Sequence, residues 1–162
     1  MLNHKNIIKL YQAFVVKNEA ILIMEYADGG ELIGYVEEKH GLSEVETRNL
    51  VKQLVAALDC CHEQGVIHRD LKLENVLFES KARQRIKVVD FGISGMCKGN
   101  IHEKNDAGTL RYMAPEVLLS YHTTANPAID IWAVGIMMYC MVFETFPFNG
   151  ETSAIIKDKI IN

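Results

Sequence analysis

Residues 66–92 alternate short apolar runs with polar segments, and this alternation constrains the fold more than any other stretch. The apolar runs are residues 66–67, 76–78 and 86–89. Short runs rich in β-branched residues are typical of strands, so the polar residues 68–75 and 90–92 are predicted to form loops at strand ends. Loops held by a rigid scaffold often carry binding and catalytic groups, which makes these two loops the first candidates for a functional site.

The composition of the chain indicates one globular domain. With 162 residues, 49% of them hydrophobic, the chain is long enough to bury a single core. The net charge is -4 and no Lys- or Arg-rich tract is present, which argues against nucleic-acid or membrane binding. The cysteines at 60, 61, 97 and 140 lack C-x-x-C spacing, so we expect buried or partly buried thiols in a cytoplasmic or nuclear protein.

Further patterns predict one hairpin and four helices. Residues 7–14 and 20–26 are apolar runs joined by a polar turn, which favours an antiparallel hairpin. Residues 31–39 predict a short helix ending at Gly41. Residues 43–64 predict a long one that opens with a capping box of Ser43 and Glu46. Asn126 and Pro127 predict the start of a helix that runs to residue 143, apolar on all sides and therefore buried, and another helix is expected at 155–161.

The motifs in the two loops, with a third further on, resemble the catalytic core of eukaryotic protein kinases. The matching segments are H-R-D-L-K-x-x-N at residues 68–75, D-F-G at 90–92 and A-P-E at 114–116, in that order. A single tripeptide is weak evidence, whereas the ordered set is specific. The form of the motifs is similar to serine/threonine kinases of the calcium/calmodulin-dependent type. The resemblance implies an α+β, protein-kinase-like fold with a mostly helical large lobe and a remnant β-hairpin of the small lobe.

The resemblance also implies roles for the polar residues of the loops. Asp70 would be the catalytic base, and Lys72 would lie near the transferred phosphate. Asn75 and Asp90 would bind Mg²⁺ through their oxygen atoms. Thr109 would hydrogen-bond the catalytic aspartate and lysine, as in serine/threonine kinases.

The nucleotide and peptide sites are implied in the same way. The residues assigned to ATP are Met24, Glu25, Ala27, Glu31, Leu77 and Asp90, with the hinge backbone at 25 and 27 facing the adenine edge. Glu31 and Glu74 would face a basic residue upstream of the target hydroxyl in a protein substrate. Residues assigned to structural support are Leu10, His68, Arg69, Phe91, Glu116 and Asp130. In that group, His68 is expected to stack with Phe91 and Asp130 to bind the catalytic-loop backbone. The other histidines form no constellation and are expected to be surface or capping residues.

The segment before Thr109 departs from the family pattern. Arg69 normally pairs with a phosphorylated residue there, yet residues 95–108 contain no Ser, Thr or Tyr. One hypothesis is that Glu103 or Asp106 partly replaces the phosphate; the alternative is that these are solvated charges and control lies elsewhere.

The resemblance makes residues 1–162 a partial kinase domain, truncated at both ends. Residues 1–26 correspond to the end of the small lobe with the hinge, and 27–162 to the large lobe. The sequence contains no Gly-rich loop and no strand lysine paired with a helix glutamate. The arginine that partners Glu116 is missing as well, so Glu116 is expected to be a buried carboxylate without its partner. Two functions stay open: a serine/threonine kinase using ATP and Mg²⁺, and a catalytically silent chain that binds a partner.

Overall fold

Two packed helices form the centre of the structure, a computed structural model that describes residues 2–91, 107–119 and 126–162. These are α2 (Glu44–Glu63) and α5 (Ala128–Phe143), and α1 (Leu32–Lys39) precedes them. The remaining helices are α3 (Ala107–Leu110), α4 (Pro115–Leu119) and α6 (Ser153–Ile161). Within these residues, no helix is long and apolar enough to cross a bilayer.

Two small antiparallel sheets lie beside the helices. β1 (Leu10–Val16) pairs with β2 (Glu19–Met24), and β3 (Val76–Phe78) pairs with β4 (Ile86–Val88). The turn between β1 and β2 places Lys17 and Asn18 at positive φ, which suits the tight turn of a two-residue hairpin. A short 3₁₀ turn, Leu73–Asn75, leads into β3.

The predicted elements are present with shifted boundaries, and one predicted strand is absent. β1 begins at Leu10 because Ile7 and Ile8 instead contact β4, where the Ile8 amide donates to the Val88 carbonyl at 3.0 Å. The apolar pair at 66–67 forms no strand; the Val66 amide closes the end of α2 by donating to the Cys61 carbonyl at 2.9 Å.

The start and the buried face of α2 follow from the local sequence. The Ser43 side chain accepts from the Glu46 amide and the Glu46 carboxylate accepts from the Ser43 amide, which is the predicted capping box. The buried face of α2 includes Leu50, Leu54 and Leu58, whereas Val55 is exposed. These leucines pack with α5 into the main core and fix the helix beneath residues 68–75.

The prediction that α5 is buried on all sides was wrong. Met137 and Met141 are fully buried in the core, but Ile131, Met138 and Phe143 on the opposite side are exposed. The Asn126 side chain accepts from the Ala128 amide, so the predicted start of the helix is present. The exposed side leaves an apolar surface on the described part of the chain.

The cysteines agree with the prediction where the structure describes them. Cys61 and Cys140 are buried and Cys60 is partly buried, all as free thiols, while Cys97 lies outside the described residues. Burial raises the pKa of both the Cys61 and the Cys140 thiol to about 12. These two thiols therefore stay protonated at neutral pH and behave as apolar groups.

Candidate active site

The loop at residues 68–75 is held from below by Asp130 of α5. The two carboxylate oxygens of Asp130 accept hydrogen bonds from the His68 and Arg69 amides, each at 2.9 Å. Asp130 is almost completely buried. Arg69 adopts a φ of 69°, in the left-handed region that non-glycine residues rarely occupy. The buried carboxylate thus holds a strained turn immediately before Asp70.

The buried ring of His68 joins this loop to residues 89–91. His68 Nδ1 accepts from the Asp70 amide at 3.3 Å, which assigns the ring proton to Nε2. Nε2 can then donate to the Val89 carbonyl, 2.9 Å away. The His68 ring also contacts the Phe91 ring edge-on, with 4.8 Å between the ring centroids. The His68 ring is therefore buried and packed against Phe91, which is the contact that the resemblance implied.

Asp70, Lys72 and Thr109 form one chain of polar contacts. Lys72 Nζ lies 3.3 Å from Asp70 Oδ2 and donates to Thr109 Oγ1 at 3.3 Å. The Asp70 side chain keeps 41% of its surface exposed, so its carboxylate can be reached by a hydroxyl from solvent. The structure brings these three predicted residues together across a sequence gap of 37 residues between Lys72 and Thr109.

Asn75 and Asp90 supply oxygen atoms beside this chain. The Asn75 amide nitrogen donates to the Asp70 carbonyl at 2.7 Å and to Asp70 Oδ2 at 3.3 Å, which leaves Oδ1 as its coordinating atom. The backbone carbonyl of Asn75 accepts from the Val89 amide at 3.0 Å. Asp90, the next residue along the chain, is therefore attached to backbone that is bonded to Asn75. Asp90 is exposed and has a φ of 61°. One amide oxygen and one carboxylate fit Mg²⁺, which takes few protein ligands.

No richer metal site competes with this pair in the described residues. Residues 2–91, 107–119 and 126–162 contain no group of three or more His, Cys, Asp or Glu side chains arranged to hold a metal ion. Asn75 and Asp90 themselves offer only oxygen donors, which are the hard ligands that Mg²⁺ prefers.

The hinge residues present backbone groups next to β3. The Glu25 amide donates to the Lys9 carbonyl at 2.8 Å, so the carbonyl of Glu25 is the group left to contact a ligand. Ala27 makes no backbone hydrogen bond to another described residue. Met24 ends β2, and Leu77 of β3 is partly buried opposite Glu31. The Glu25 carbonyl and the Ala27 backbone groups, which the resemblance assigns to adenine, thus make no backbone hydrogen bond to another described residue.

The two glutamates assigned to a peptide lie on adjacent elements. Glu31 is exposed immediately before α1, and α1 packs against the 3₁₀ turn that carries Glu74. Glu74 Oε2 accepts from the Tyr112 hydroxyl at 3.4 Å. Burial, followed by the nearby Glu74 charge, raises the pKa of Tyr112, so its hydroxyl stays a donor. Among the described residues, the other carboxylate oxygen of Glu74 has no hydrogen bond, which leaves it available for a second partner.

The other predicted support residues have mixed outcomes. Leu10 is partly buried and pairs with Met24 in the hairpin. Arg69 is exposed, and its proposed acidic partners, Glu103 and Asp106, lie outside the described residues. The expectation of a buried Glu116 without its partner was wrong, because this carboxylate is exposed to solvent in the short helix α4.

Two residues near the site were missed by the sequence reasoning. His62 Nε2 lies 2.8 Å from Asp130 Oδ2, so this histidine is not a surface or capping residue. Lys87 is buried and its Nζ lies 2.8 Å from Glu25 and 3.4 Å from Glu79. A lysine between Ile86 and Val88 in an apolar run was a usable signal for Lys87. His62 offered no such signal, since its partner is 68 residues away.

Comparison with known families decides what this arrangement is. The Protein kinase domain family matches residues 1–162. The chain belongs to the protein kinase family. The family membership predicted from the ordered loop motifs is thereby confirmed.

Individual relatives support the serine/threonine branch of the family. NUAK family SNF1-like kinase 1 of Homo sapiens is 41% identical over 149 residues, which cover 92% of this chain and 22% of the relative. NUAK family SNF1-like kinase 2 of Homo sapiens is 37% identical over 161 residues, covering 99% of this chain and 25% of the relative. This kinase chain thus spans a quarter or less of the curated relatives that it matches.

A solved structure shows the same fold. The crystal structure of Rad53 1-466 in complex with AMP-PNP superposes with a TM-score of 0.82 and 29% sequence identity. The match covers 99% of this kinase chain and 39% of the Rad53 chain. That structure contains bound AMP-PNP. The neighbour thereby confirms the kinase-like fold predicted from the sequence.

Proposed function

We propose that this chain carries the catalytic groups of a serine/threonine protein kinase that transfers the γ-phosphate of ATP to protein hydroxyls. The observation that carries the proposal is the contact chain from Asp70 through Lys72 to Thr109, with Asn75 bound to the same aspartate. Phosphoryl transfer needs a group that orients the hydroxyl, cations near the phosphate and ligands for those cations. Asp70 would orient the hydroxyl, and Asn75 and Asp90 would be the ligands of the metal cation. Lys72 would itself be one of the cations near the phosphate.

Each residue has a defined task in this proposal. Asp70 accepts or orients the hydroxyl proton of the substrate, which typically contributes about 10²–10⁴-fold in rate. Lys72 places positive charge at the transferred phosphate, and Thr109 fixes the Lys72 amine by accepting its hydrogen bond. Asn75 and Asp90 hold Mg²⁺, which neutralises phosphate charge when bound. The backbone at Glu25 and Ala27 receives the adenine edge, with Leu77 beneath the ring.

The proposed substrate is a protein with a basic residue upstream of the target Ser or Thr. Glu31 and Glu74 lie on packed neighbouring elements and would share one guanidinium. Peptides with Arg, Lys or Ala upstream of the target serine test this point. An equal rate for the Arg and Ala peptides would contradict it, and Glu74→Gln is expected to reduce the preference for Arg.

Nucleotide binding is the first direct test of the proposed activity. Calorimetric titration of the 162-residue chain with ATP and Mg²⁺ is expected to show binding that Asp90→Asn weakens and that depends on Mg²⁺. Asp59→Asn changes an exposed carboxylate on α2 and is the matched control, with binding unchanged. Equal affinity in the Asp90 variant and the wild type would contradict the metal assignment.

Phosphate transfer is the second test. Transfer to a basic serine peptide by the 162-residue chain is expected to be slow, because the sequence contains no Gly-rich loop and no strand lysine to grip the nucleotide. Asp70→Asn should lower whatever rate is measured by at least about 10²-fold. A rate that is unchanged in Asp70→Asn would show that another group does the chemistry.

A catalytically silent binding protein is the second candidate, and exposed apolar surface favours it. Tyr11 and Val15 of the hairpin are 57% and 73% exposed, and Phe143 of α5 is 60% exposed. A contiguous patch of exposed apolar side chains marks a place where other protein packs, and the hairpin that carries Tyr11 and Val15 is the candidate for such a patch. Absence of both nucleotide binding and transfer in a folded chain would favour this candidate over the kinase.

A further inference from the structure

Arg111 lies beside the candidate active site, and its positive charge is not paired with a carboxylate. The residue follows α3 and comes two positions after Thr109, which accepts from Lys72 of the catalytic loop. Its Nε–H group is buried and has no hydrogen-bond acceptor in the part of the chain that the structure describes. Within those residues, no ion pair includes Arg111. A partly desolvated cation without an anion is costly, because neither water nor a partner compensates its charge on the buried side.

Two neutral groups hold the guanidinium of Arg111 in position. Its central carbon lies 5.0 Å from the centroid of the Phe146 ring, and Nη2 donates to Asn149 Oδ1 at 3.3 Å. The hydrogen bond to Asn149 is exposed, so the Nη end of the guanidinium is the end that a ligand can reach. The aromatic ring and the side-chain amide orient this group without neutralising its charge.

Lys159 brings a second positive charge to the same residue. It lies in the last turn of α6, and its Nζ donates to the Asn149 backbone carbonyl at 2.7 Å. Lys159 is exposed and, like Arg111, belongs to no ion pair of the described residues. Two cations that contact one neutral residue repel each other, and an anion close to both would remove that repulsion.

Arg111 is also close to the glutamate assigned to the peptide. Tyr112 donates to Glu74 Oε2 at 3.4 Å, and its ring contacts the Phe146 ring edge-on, with 5.3 Å between the centroids. Arg111 contacts this same Phe146 ring. Burial and then the Glu74 charge raise the pKa of the Cys140 thiol to about 12, whereas the Arg111 charge acts on it in the opposite direction. One negative and one positive side chain thus lie near each other at the site assigned to the peptide.

We propose that Arg111 determines substrate specificity by binding an acidic group, a carboxylate or a phosphate, on the protein substrate. The inference rests on the proposed function, since it takes the assignment of Glu74 to the peptide as its starting point. The two Nη atoms of a guanidinium match a group with two oxygens, and Lys159 adds charge at the same place. A substrate with a basic and an acidic residue near each other is complementary to Glu74 and Arg111.

The test is peptide binding to the 162-residue chain, measured by fluorescence anisotropy in the absence of nucleotide. Each peptide has an arginine upstream of a serine, and every other position in turn carries Asp or Asn. These two side chains have nearly the same size and differ in charge. We expect at least one position at which the wild-type chain binds the Asp peptide about fivefold or more tightly than the Asn peptide.

Substitutions of Arg111 separate recognition of charge from a purely structural role. Arg111→Gln keeps N–H donors and removes the charge, so the Asp and Asn peptides should bind equally well. Arg111→Glu should reverse the preference. Arg48→Gln is the matched control, because Arg48 is an exposed residue of α2 outside the ion pairs of the described residues, and it should keep the wild-type preference. Equal weakening of both peptides in Arg111→Gln, with the preference unchanged, would overturn the proposal.

Asn149→Asp provides a second variant if the Arg111 variants do not fold. Its carboxylate takes the place of the Oδ1 atom that accepts from Arg111, so it should occupy the site from within the chain and abolish the preference for Asp peptides. A preference that persists in Asn149→Asp would contradict the proposal. Phosphoserine in place of Asp at the preferred position distinguishes the two sources of the acidic group: tighter binding identifies a phosphate, and equal or weaker binding identifies a carboxylate.

Because binding is measured without ATP, this inference and the proposed activity can fail separately. A preference for Asp peptides in a chain that neither binds nucleotide nor transfers phosphate would refute the kinase proposal and keep the acidic-group site. Equal binding of the Asp and Asn peptides at every position, or no binding of any peptide, would overturn the role of Arg111 whatever the calorimetric titration with ATP shows.

Discussion

Replacement of Lys87 by methionine tests how the hinge is attached to the rest of the molecule. Lys87 lies in β4, its side chain is 7% exposed, and its amine contacts Glu25 at 2.8 Å and Glu79 at 3.4 Å. Glu25 also accepts from the Lys9 amide at 3.1 Å. The amine therefore joins the hinge to the β3–β4 sheet, and its loss leaves two carboxylates facing each other.

The expected loss of stability follows from how far the two partners are buried. Removal of one member of a fully buried ion pair costs about 3–5 kcal/mol, because the remaining charge has no compensation. Here Glu25 and Glu79 keep 21% and 32% of their side chains exposed, so water replaces part of the lost interaction. We expect the free energy of unfolding to fall by about 1–2 kcal/mol in Lys87→Met.

Urea unfolding followed by tryptophan fluorescence measures this effect, since Trp132 is the single tryptophan of the chain. Arg85→Met is the matched control, because Arg85 contacts the same Glu79 but is 52% exposed, and we expect a change below about 0.5 kcal/mol. A double-mutant cycle of Lys87→Met with Glu25→Gln should show coupling. A coupling energy near zero, or an equal effect of the two methionine variants, would refute the reasoning.

Three further predictions concern stability. Although desolvation raises the pKa of Glu25, hydrogen bonds and charges from Lys87 and Lys9 outweigh it and lower that pKa below its ordinary value of 4.5. The pair therefore stabilises above that pH and is lost as the pH falls through the folded pKa, so Lys87→Met should flatten the acid side of the stability–pH curve. Ser43→Ala removes the capping box and should lower the unfolding free energy by about 1 kcal/mol in the same urea assay. Gly29→Ala places a Cβ against residues around β3 and should destabilise by about 1–3 kcal/mol, whereas Gly34→Ala, with open space around it, should not.

Much of the local structure could be predicted because its causes lie within a few residues. The capping box of Ser43 and Glu46 spans three positions, and the end of α1 before Gly41 depends on a left-handed residue, His40, at the helix terminus. The ordered loop motifs were sufficient to recognise the family. The prediction of a strand at 66–67 failed because a two-residue apolar run has no partner of its own and instead closes α2.

Features that depend on distant residues could not be predicted in this way. The exposed side of α5 is an example: its composition is apolar throughout, and only the packing of α2 on one side decides which residues are buried. The prediction that Glu116 is buried was wrong for the same reason. Its exposure depends on how α4 lies against the rest of the molecule, and that packing involves distant residues.

The sequence by itself determined the family, the order of the loops and the residue types available for phosphoryl transfer. Only the tertiary structure decided which distant residues contact a buried carboxylate or a buried amine. The contacts from His62 to Asp130 and from Lys87 to Glu25 cross 68 and 62 positions. Asp130 and Lys87 are buried, so either group would be costly to leave without its partner; that burial is a property of the packed molecule and not of any local stretch of chain.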